Sequence, residues 1–292
     1  MRRNVRMAAV AVDSKPGDTS GNLTKMSDWA TRAKGAGAEL VLFPELSLTG
    51  FIPNHPTGDH NEWLRSALAG AQAIAEPIPG PTVKRLIEIA GSHDLLLSAG
   101  LLEDAGNVLH NTQVLVGPDG LLGRWRKMHV PMFEMPFYNG GEGPTVVETP
   151  LGRIGCNICF DALMPESTRL LAVQNVEIVL FPFAADPPPV TPEGWRNWAA
   201  PALRSRCQEN GVFGLACNYV GDVEFAGAGQ SFPGGGLALG PRGEPLAEWK
   251  GHPGEPAMLT VDFNRETLTS ARAEPEYLYR FRRPELYGPL AE

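Results

Sequence analysis

Met7-Ala-Ala-Val-Ala-Val12, then Asn22 to Gly37 with Leu23, Met26, Trp29, Ala30 and Ala33 at helical spacing, then Glu39-Leu-Val-Leu-Phe43: this succession decides the class of fold. Short apolar runs bounded by polar turns read as buried strands, and the 3.6-residue spacing between them reads as a helix ending in glycine. The pattern then repeats. Pro79-Gly-Pro81 opens a helix through Val83, Leu86, Ile87 and Ile89, and Asp94-Leu-Leu-Leu-Ser-Ala99 follows as a strand. Asn111 to Val116, a Pro-Asp-Gly turn at 118–120 and Leu121 to Lys127 predict a hairpin, and Val146 to Thr149 with Arg153 to Cys159 predict a second. Glu166 to Gln174 is expected as a helix, Val176 to Phe181 as a strand, Trp195 to Asn210 as a long helix and Phe213 to Asn218 as a strand. Strands alternating with helices imply α/β layers, and the hairpins make the sheets mixed.

The 292 residues leave room for one layered domain or two. A chain that is 43% hydrophobic and 20% charged can bury a core, and its 33 glycines and 27 prolines point to many turns. A net charge of -8 argues against a broad nucleic-acid footprint, which needs a concentrated basic face; Arg280, Arg282 and Arg283 are too few to supply one. No apolar run approaches the ~18 residues of a membrane span. Arg2 and Arg3 ahead of the first apolar run resemble a signal peptide until Asp13 and Lys15 stop the run, so it is read as the first strand. Four cysteines (156, 159, 207 and 217) make no disulfide framework, and a reducing cytoplasm is the expected compartment. Turn-rich segments at 53–60, 131–145, 184–194 and 221–236 are expected to rim a site. Composition shifts only near 272. Residues 1–273 are therefore read as one domain and 274–292 as a C-terminal arm, whose Tyr277, Tyr279, Phe281 and Tyr287 need a surface to cover them.

Three strand ends each present a reactive residue: Val41-Leu-Phe-Pro-Glu45 a carboxylate, Gly123-Arg-Trp-Arg-Lys127 an amine, Ile154-Gly-Cys-Asn-Ile-Cys159 a thiol. Singly, each has an ordinary reading. A cysteine after an apolar strand is usually a small buried hydrophobe, Glu45 could be a helix-start carboxylate, and Lys127 a solvated hairpin end.

Together, in the order Glu45, Lys127, Cys159, they resemble the nitrilase superfamily of carbon-nitrogen hydrolases. Five pieces carry the resemblance: F-P-E at 43–45, R-K-M-H at 126–129, I-C-F-D followed by P-E at 158–166, R-x-R-x-x-E-N at 204–210 leading to A-C-N at 216–218, and G-Q-S at 229–231 with G-P-R-G-E at 240–244. The resemblance implies a four-layer α-β-β-α sandwich, paired in a homodimer or larger assembly, with Glu45 as general base, Lys127 as oxyanion stabiliser and Cys159 as nucleophile. Physical chemistry is consistent with these roles, because a thiol with a pKa near ~8.5 is only slightly ionised at neutral pH and needs a base, a cation or both. The backbone N–H of Phe160 can join Lys127 in holding the charge on a carbonyl oxygen. No metal or organic cofactor is required.

The family's second glutamate has two candidates here, Glu134 in M-F-E-M-P-F-Y and Glu142 in the glycine-rich turn; Glu134 is favoured, with a solvated loop charge as the alternative reading. His129 stands where it could line the pocket, although a hydrogen-bonded structural histidine is the plainer reading. Asp161 and Glu166 are read as fixing the turn after the nucleophile and capping the next helix. Cys156-Asn-Ile-Cys159 matches a redox or zinc pattern, but positions three apart in a strand point to opposite faces. Phe160-Asp161 resembles the amidase and N-carbamoyl amidohydrolase branch, whereas nitrilases usually carry Trp-Glu there. Ala162-Leu163-Met164 lacks the arginine that carbamoyl-amino-acid hydrolases use for a carboxylate. The expected reaction is thus hydrolysis of a small non-peptide amide or N-carbamoyl amine through a thioester, releasing ammonia or amine. A nitrilase reaction, a catalytically silent scaffold and a Cys156–Cys159 redox protein remain as alternatives.

Overall fold

The computed structural model describes residues 1–249, 252 and 254–291. In chain order the elements are β1 (Val5–Ala11), α1 (Thr19–Gly35), β2 (Leu40–Leu42), α2 (His60–Ile74), α3 (Pro81–His93), β3 (Leu96–Asp104), β4 (Leu109–Gly117) and β5 (Gly120–Arg126). Then come β6 (Val147–Thr149), β7 (Gly152–Cys156), α4 (Pro165–Ala172), β8 (Ile178–Phe183), α5 (Pro192–Asn210) and β9 (Phe213–Asn218). The chain continues through β10 (Val220–Phe225), β11 (Ala228–Pro233), β12 (Gly236–Leu239), β13 (Pro245–Glu248), β14 (Ala257–Phe263) and α6 (Arg265–Ala273).

Two six-stranded mixed sheets form, in the orders β14-β1-β2-β3-β4-β5 and β13-β12-β9-β8-β7-β6. Their centres are parallel (β1-β2-β3 and β7-β8-β9), as strand-helix-strand crossovers require, and the hairpins add antiparallel strands at the edges. The two-residue side-chain period sorts the core into layers. Met7 and Ala9 of β1 and Leu40 and Leu42 of β2 face the second sheet, against Cys156, Leu180, Leu215 and Leu237. Ala8, Val10, Val41 and Phe43 point the other way, onto Met26, Ala30 and Ala33 of α1 and Val83, Leu86 and Ala90 of α3. On the far side of the second sheet, Trp195, Ala199, Leu203 and Cys207 of α5 cover β8 and β9. The alternating pattern implied mixed α/β layers, and the result is the α-β-β-α sandwich that the family resemblance implied.

Several expectations need correction. Helix α2 arises where no element was anticipated, because its buried face, Trp63, Ala67 and Ala71, is mostly alanine and leaves a weak apolar signature. Residues 221–236, read as a turn-rich rim, are largely the β10–β11 hairpin and the start of β12. Cys159 does not lie in a strand: β7 stops at Cys156, and Cys159–Leu163 is a 3-10 turn, so the opposite-face argument for the cysteine pair does not apply. The arm from Glu274 forms three short 3-10 turns and lies along the α4 and α5 side of its own chain, where Tyr277 donates to the Asn210 carbonyl and Arg169 sits over the Tyr279 ring. Its last residue, Glu292, lies outside the described residues.

Candidate active site

Sheet topology brings three reactive residues to one end of the sandwich. Two antiparallel pairings separate β5 from β3, so β5 runs in the same direction as β2 and β3, and Lys127 emerges at the same sheet end as Glu45. Cys159 follows the carboxyl end of β7 in the other sheet. A hydrogen bond from the Ala184 N–H, just past β8, to Glu45 Oε2 at 2.8 Å shows that the two sheet ends meet.

Glu45 and Lys127 have no solvent exposure. Lys127 Nζ donates to Glu45 Oε1 at 2.8 Å and to Glu134 Oε2 at 2.7 Å, and Asn111 Nδ2 donates to Glu45 Oε1 at 2.7 Å. One ammonium thus joins two buried carboxylates. Burial alone would lower the Lys127 pKa, but the charges of Glu134 and Glu45 outweigh it and hold the amine well above its ordinary value. Burial pushes Glu134 up to about 7, opposed by Lys127 and reinforced by Glu45. The Cys159 thiol is raised well above its usual value by burial and by Glu45, with Lys127 and the Ala184 amide acting in the opposite direction. At rest it is a thiol with a carboxylate close by to take its proton.

The backbone is unusual at Cys159 and beside Glu45. Cys159 adopts φ 48° and Leu46, immediately after Glu45, φ 52°, in the left-handed region that non-glycine residues seldom occupy and that tends to mark functional sites. Gly100 of β3 lets the Glu45 turn pack tightly, since a Cβ there would lie 2.2 Å from the Leu46 nitrogen. The 3-10 turn leaves the N–H groups of its first residues, Cys159 and Phe160, outside its own hydrogen bonding and hence available to an anion.

Of the two candidate second glutamates, Glu134 lies in the buried cluster, while the Glu142 side chain is 85% exposed and 3.6 Å from Arg126. His129 is hydrogen-bonded through Nδ1 to Asp161 Oδ1 at 2.8 Å, and this bond raises its pKa. Glu166 stands in the first turn of α4. Three contributors were missed in the sequence: Asn111, the Ala184 amide, and Tyr138, buried in the Glu134 loop with its phenol pKa raised by burial and by Glu134. A signal for Asn111 was present. His110, Asn111, Thr112 and Gln113 are four consecutive polar residues inside a strand, and all four are buried.

The two-sheet α/β sandwich thus gathers a cysteine, a lysine and two glutamates at one end. The carbon-nitrogen hydrolase family model matches residues 6–273, and the chain belongs to that family. It is 31% identical to Nitrilase 2 of Arabidopsis thaliana over 76% of its own length and 65% of that protein's. It spans 54% to 65% of the length of the three Arabidopsis nitrilases it matches. It is 29% identical to an (R)-stereoselective amidase of Pseudomonas sp over 99% of its length and 95% of the relative's. Among solved structures, an amidase from Nesterenkonia sp. superposes with a TM-score of 0.76 at 25% identity, covering 99% of this chain and 97% of the other.

Proposed function

We propose that this chain is an amidase: a thiol hydrolase that cleaves the C–N bond of a small non-peptide amide or N-carbamoyl amine. The observation that carries the reading is the buried cluster in which Lys127 Nζ joins Glu45 and Glu134 beside Cys159. Glu45 accepts the thiol proton as Sγ attacks the carbonyl carbon, and the oxyanion is held by Lys127 and the Phe160 N–H. The tetrahedral adduct collapses to a thioester as the C–N bond breaks, and the departing amine takes the proton from Glu45. Water then attacks the thioester, with Glu45 receiving one of its protons, and collapse returns that proton to the sulfur and frees the acid. Amide and water give acid and amine, with no cofactor in the balance. Glu134 keeps Lys127 cationic while Glu45 is protonated.

The charge around the nucleophile supports neutral or amine-bearing substrates over those with a carboxylate near the scissile bond. Ala162, Leu163 and Met164 supply no cation. Each of the three arginines of α5 already has partners: Arg196 has Glu193 and Glu248, Arg204 the Gly243 carbonyl, and Arg206, which bonds the back of the Cys159 turn, the Ala162 and Leu163 carbonyls and Glu209. Asp186, two residues past Ala184, adds an acid. An unpartnered substrate carboxylate buried there would cost several kcal/mol, on the order of 2–5.

The chain is further read as a cytoplasmic homodimer or larger homo-oligomer, with the arm at the subunit interface. Its four cysteines are free and buried, and no helix among the described residues is long and apolar enough to cross a membrane. The direct test is to incubate the protein with a panel of amides, N-carbamoyl amines and nitriles, follow ammonia, and weigh the intact protein for an acyl adduct. Turnover of amides with an adduct on Cys159 supports the reading. Turnover of nitriles alone would move it to the nitrilase reaction, and neither turnover nor adduct would leave a scaffold.

A further inference from the structure

Asp161 joins the two sheets at the point where the reaction takes place. It belongs to the turn that begins at Cys159, and its own N–H donates to the Ile158 carbonyl at 3.0 Å. Its side chain reaches across to the strand end that carries Lys127. Oδ1 accepts from the His129 N–H at 2.8 Å and from His129 Nδ1 at 2.8 Å, and the Met128 N–H lies 3.2 Å from Oδ1 and 3.1 Å from Oδ2. The carboxylate is 1% exposed, so these bonds are made out of water, where charge-assisted hydrogen bonds are strong and a missing partner is costly. Lys127 comes from one sheet and Cys159 from the other, and no strand pairing links β5 to β7. Across that gap, Asp161 connects the two residues immediately after the lysine to the turn that holds the nucleophile.

We propose that Asp161 is a positioning residue, a brace that sets the distance between the Lys127 ammonium and the Cys159 sulfur, and that His129 acts only as one of its donors. This deepens the amidase reading and rests on it. The groups that face His129 are Asp161, Ser167 Oγ at 3.5 Å and the charge of Glu166, and none of these belongs to the Glu45 cluster. An error of about 1 Å in the placement of reacting groups costs on the order of 100-fold in rate.

The test compares Asp161→Asn, Asp161→Ser and His129→Gln. Asp161→Asn turns an amide N–H toward backbone donors or leaves one donor unmet, while His129→Gln keeps a donor for Asp161 and removes the ring. Two readouts are taken on protein of native circular dichroism: kcat and KM on the best amide, and the rate at which iodoacetamide alkylates Cys159, by intact mass. The expected result for both Asp161 variants is kcat lower by about 100-fold with KM within about 3-fold, and alkylation slower by about 10-fold or more. His129→Gln should stay within about 10-fold of wild type in kcat. Wild-type kcat and alkylation rate in a folded Asp161 variant would overturn the brace, and so would His129→Gln losing as much as Asp161→Asn. If neither Asp161 variant folds, His129→Ala, which removes one donor from a half-exposed side chain, decides: lower kcat at unchanged KM supports the proposal, and wild-type values overturn it. If wild type turns over no amide, the amidase reading fails while the alkylation rates still report on the brace.

Discussion

The Glu45 end of the sandwich and the arm after Glu274 follow opposite rules. At the first, charged groups are buried: Lys127, Glu45 and Glu134 are withdrawn from water and satisfied by one another, by Asn111 and by the Ala184 amide. On the arm, apolar groups are exposed: Phe281 is 65% exposed, and Leu278, Leu286 and Leu290 are exposed as well. A buried charge cluster is costly unless every member has a partner, so the first region is complete within one chain. An exposed row of large apolar side chains is complete only when something covers it. The difference separates what a single chain holds in place by itself from what it leaves exposed.

The largest effects should come from breaking the buried cluster. Cys159→Ala is expected to abolish turnover and the acyl adduct while leaving the fold intact, because one sulfur contributes little packing compared with the covalent step. Cys156→Ala should remain active; equal loss in both folded variants would restore the dithiol alternative. Lys127→Ala leaves two carboxylates buried without their cation. The expected cost is about 3–5 kcal/mol of stability together with the loss of oxyanion stabilisation, seen as a lower Tm and a kcat reduced by orders of magnitude. A near wild-type kcat in that variant would remove Lys127 from the mechanism. Glu45→Gln should likewise depress kcat, with acyl-enzyme formation blocked at the proton transfer.

A smaller and more specific effect concerns pH. Glu134 titrates near pH 7 in the folded protein, well above an unfolded carboxyl, and its ionised form is the one proposed to keep Lys127 charged. Activity should therefore rise as pH passes upward through about 7 and fall below it. Glu134→Gln should show a lower rate without that limb; if the limb survives, it belongs to another group. The stability sign runs the other way. A carboxyl whose folded pKa is raised favours folding when protonated, and that contribution is lost as pH climbs from the unfolded pKa through the folded one. The Tm of Glu134→Gln relative to wild type should thus improve between pH 5 and 8.

Much of this architecture was legible in the sequence, for identifiable reasons. Leu40–Leu42 and Phe213–Asn218 are short apolar runs whose burial on both faces admits few other readings, and β9 fell on the boundaries its sequence suggested. Glu45, Lys127 and Cys159 were legible because each sits within three residues of the end of a strand. What escaped lacks a local signal. The Ala184 N–H is a backbone group, identical in sequence to any other, and its place beside Glu45 depends on how two sheets meet. The face of α2 that is buried, Trp63, Ala67 and Ala71, is mostly alanine and carries little hydrophobic contrast. The sequence around Cys159 reads as strand because Ile158 continues the apolar run, whereas the chain turns there into a left-handed residue. Choosing Glu134 over Glu142 from sequence rested on resemblance; the burial difference between them is a property of loop conformation.

The gentlest change tests the other side of the comparison. Phe281→Ser and Leu278→Ser alter exposed side chains on a segment whose anchoring contacts are made by neighbours: Tyr277 to the Asn210 carbonyl, Arg280 to the Arg272 and Glu274 carbonyls, and Arg169 and Arg282 against the Tyr279 ring. Within one chain, then, the substitutions remove little and should shift Tm by only a degree or two, as surface changes within about 0.5 kcal/mol do. If the arm packs on a second copy, the same changes delete apolar area from that contact. At roughly 25 cal/mol per Å2, losing most of a phenylalanine and a leucine from the interface would weaken association by about 2–4 kcal/mol per arm, a 30-fold or greater rise in the dimer dissociation constant. Sedimentation across a concentration series should show the wild type as a dimer or larger and the double variant shifted toward a species near 31.5 kDa, with kcat per folded chain nearly unchanged. A wild type that is monomeric at micromolar concentration would remove the second copy from the account, and a double variant that loses kcat in proportion to its dissociation would show that the buried cluster depends on assembly.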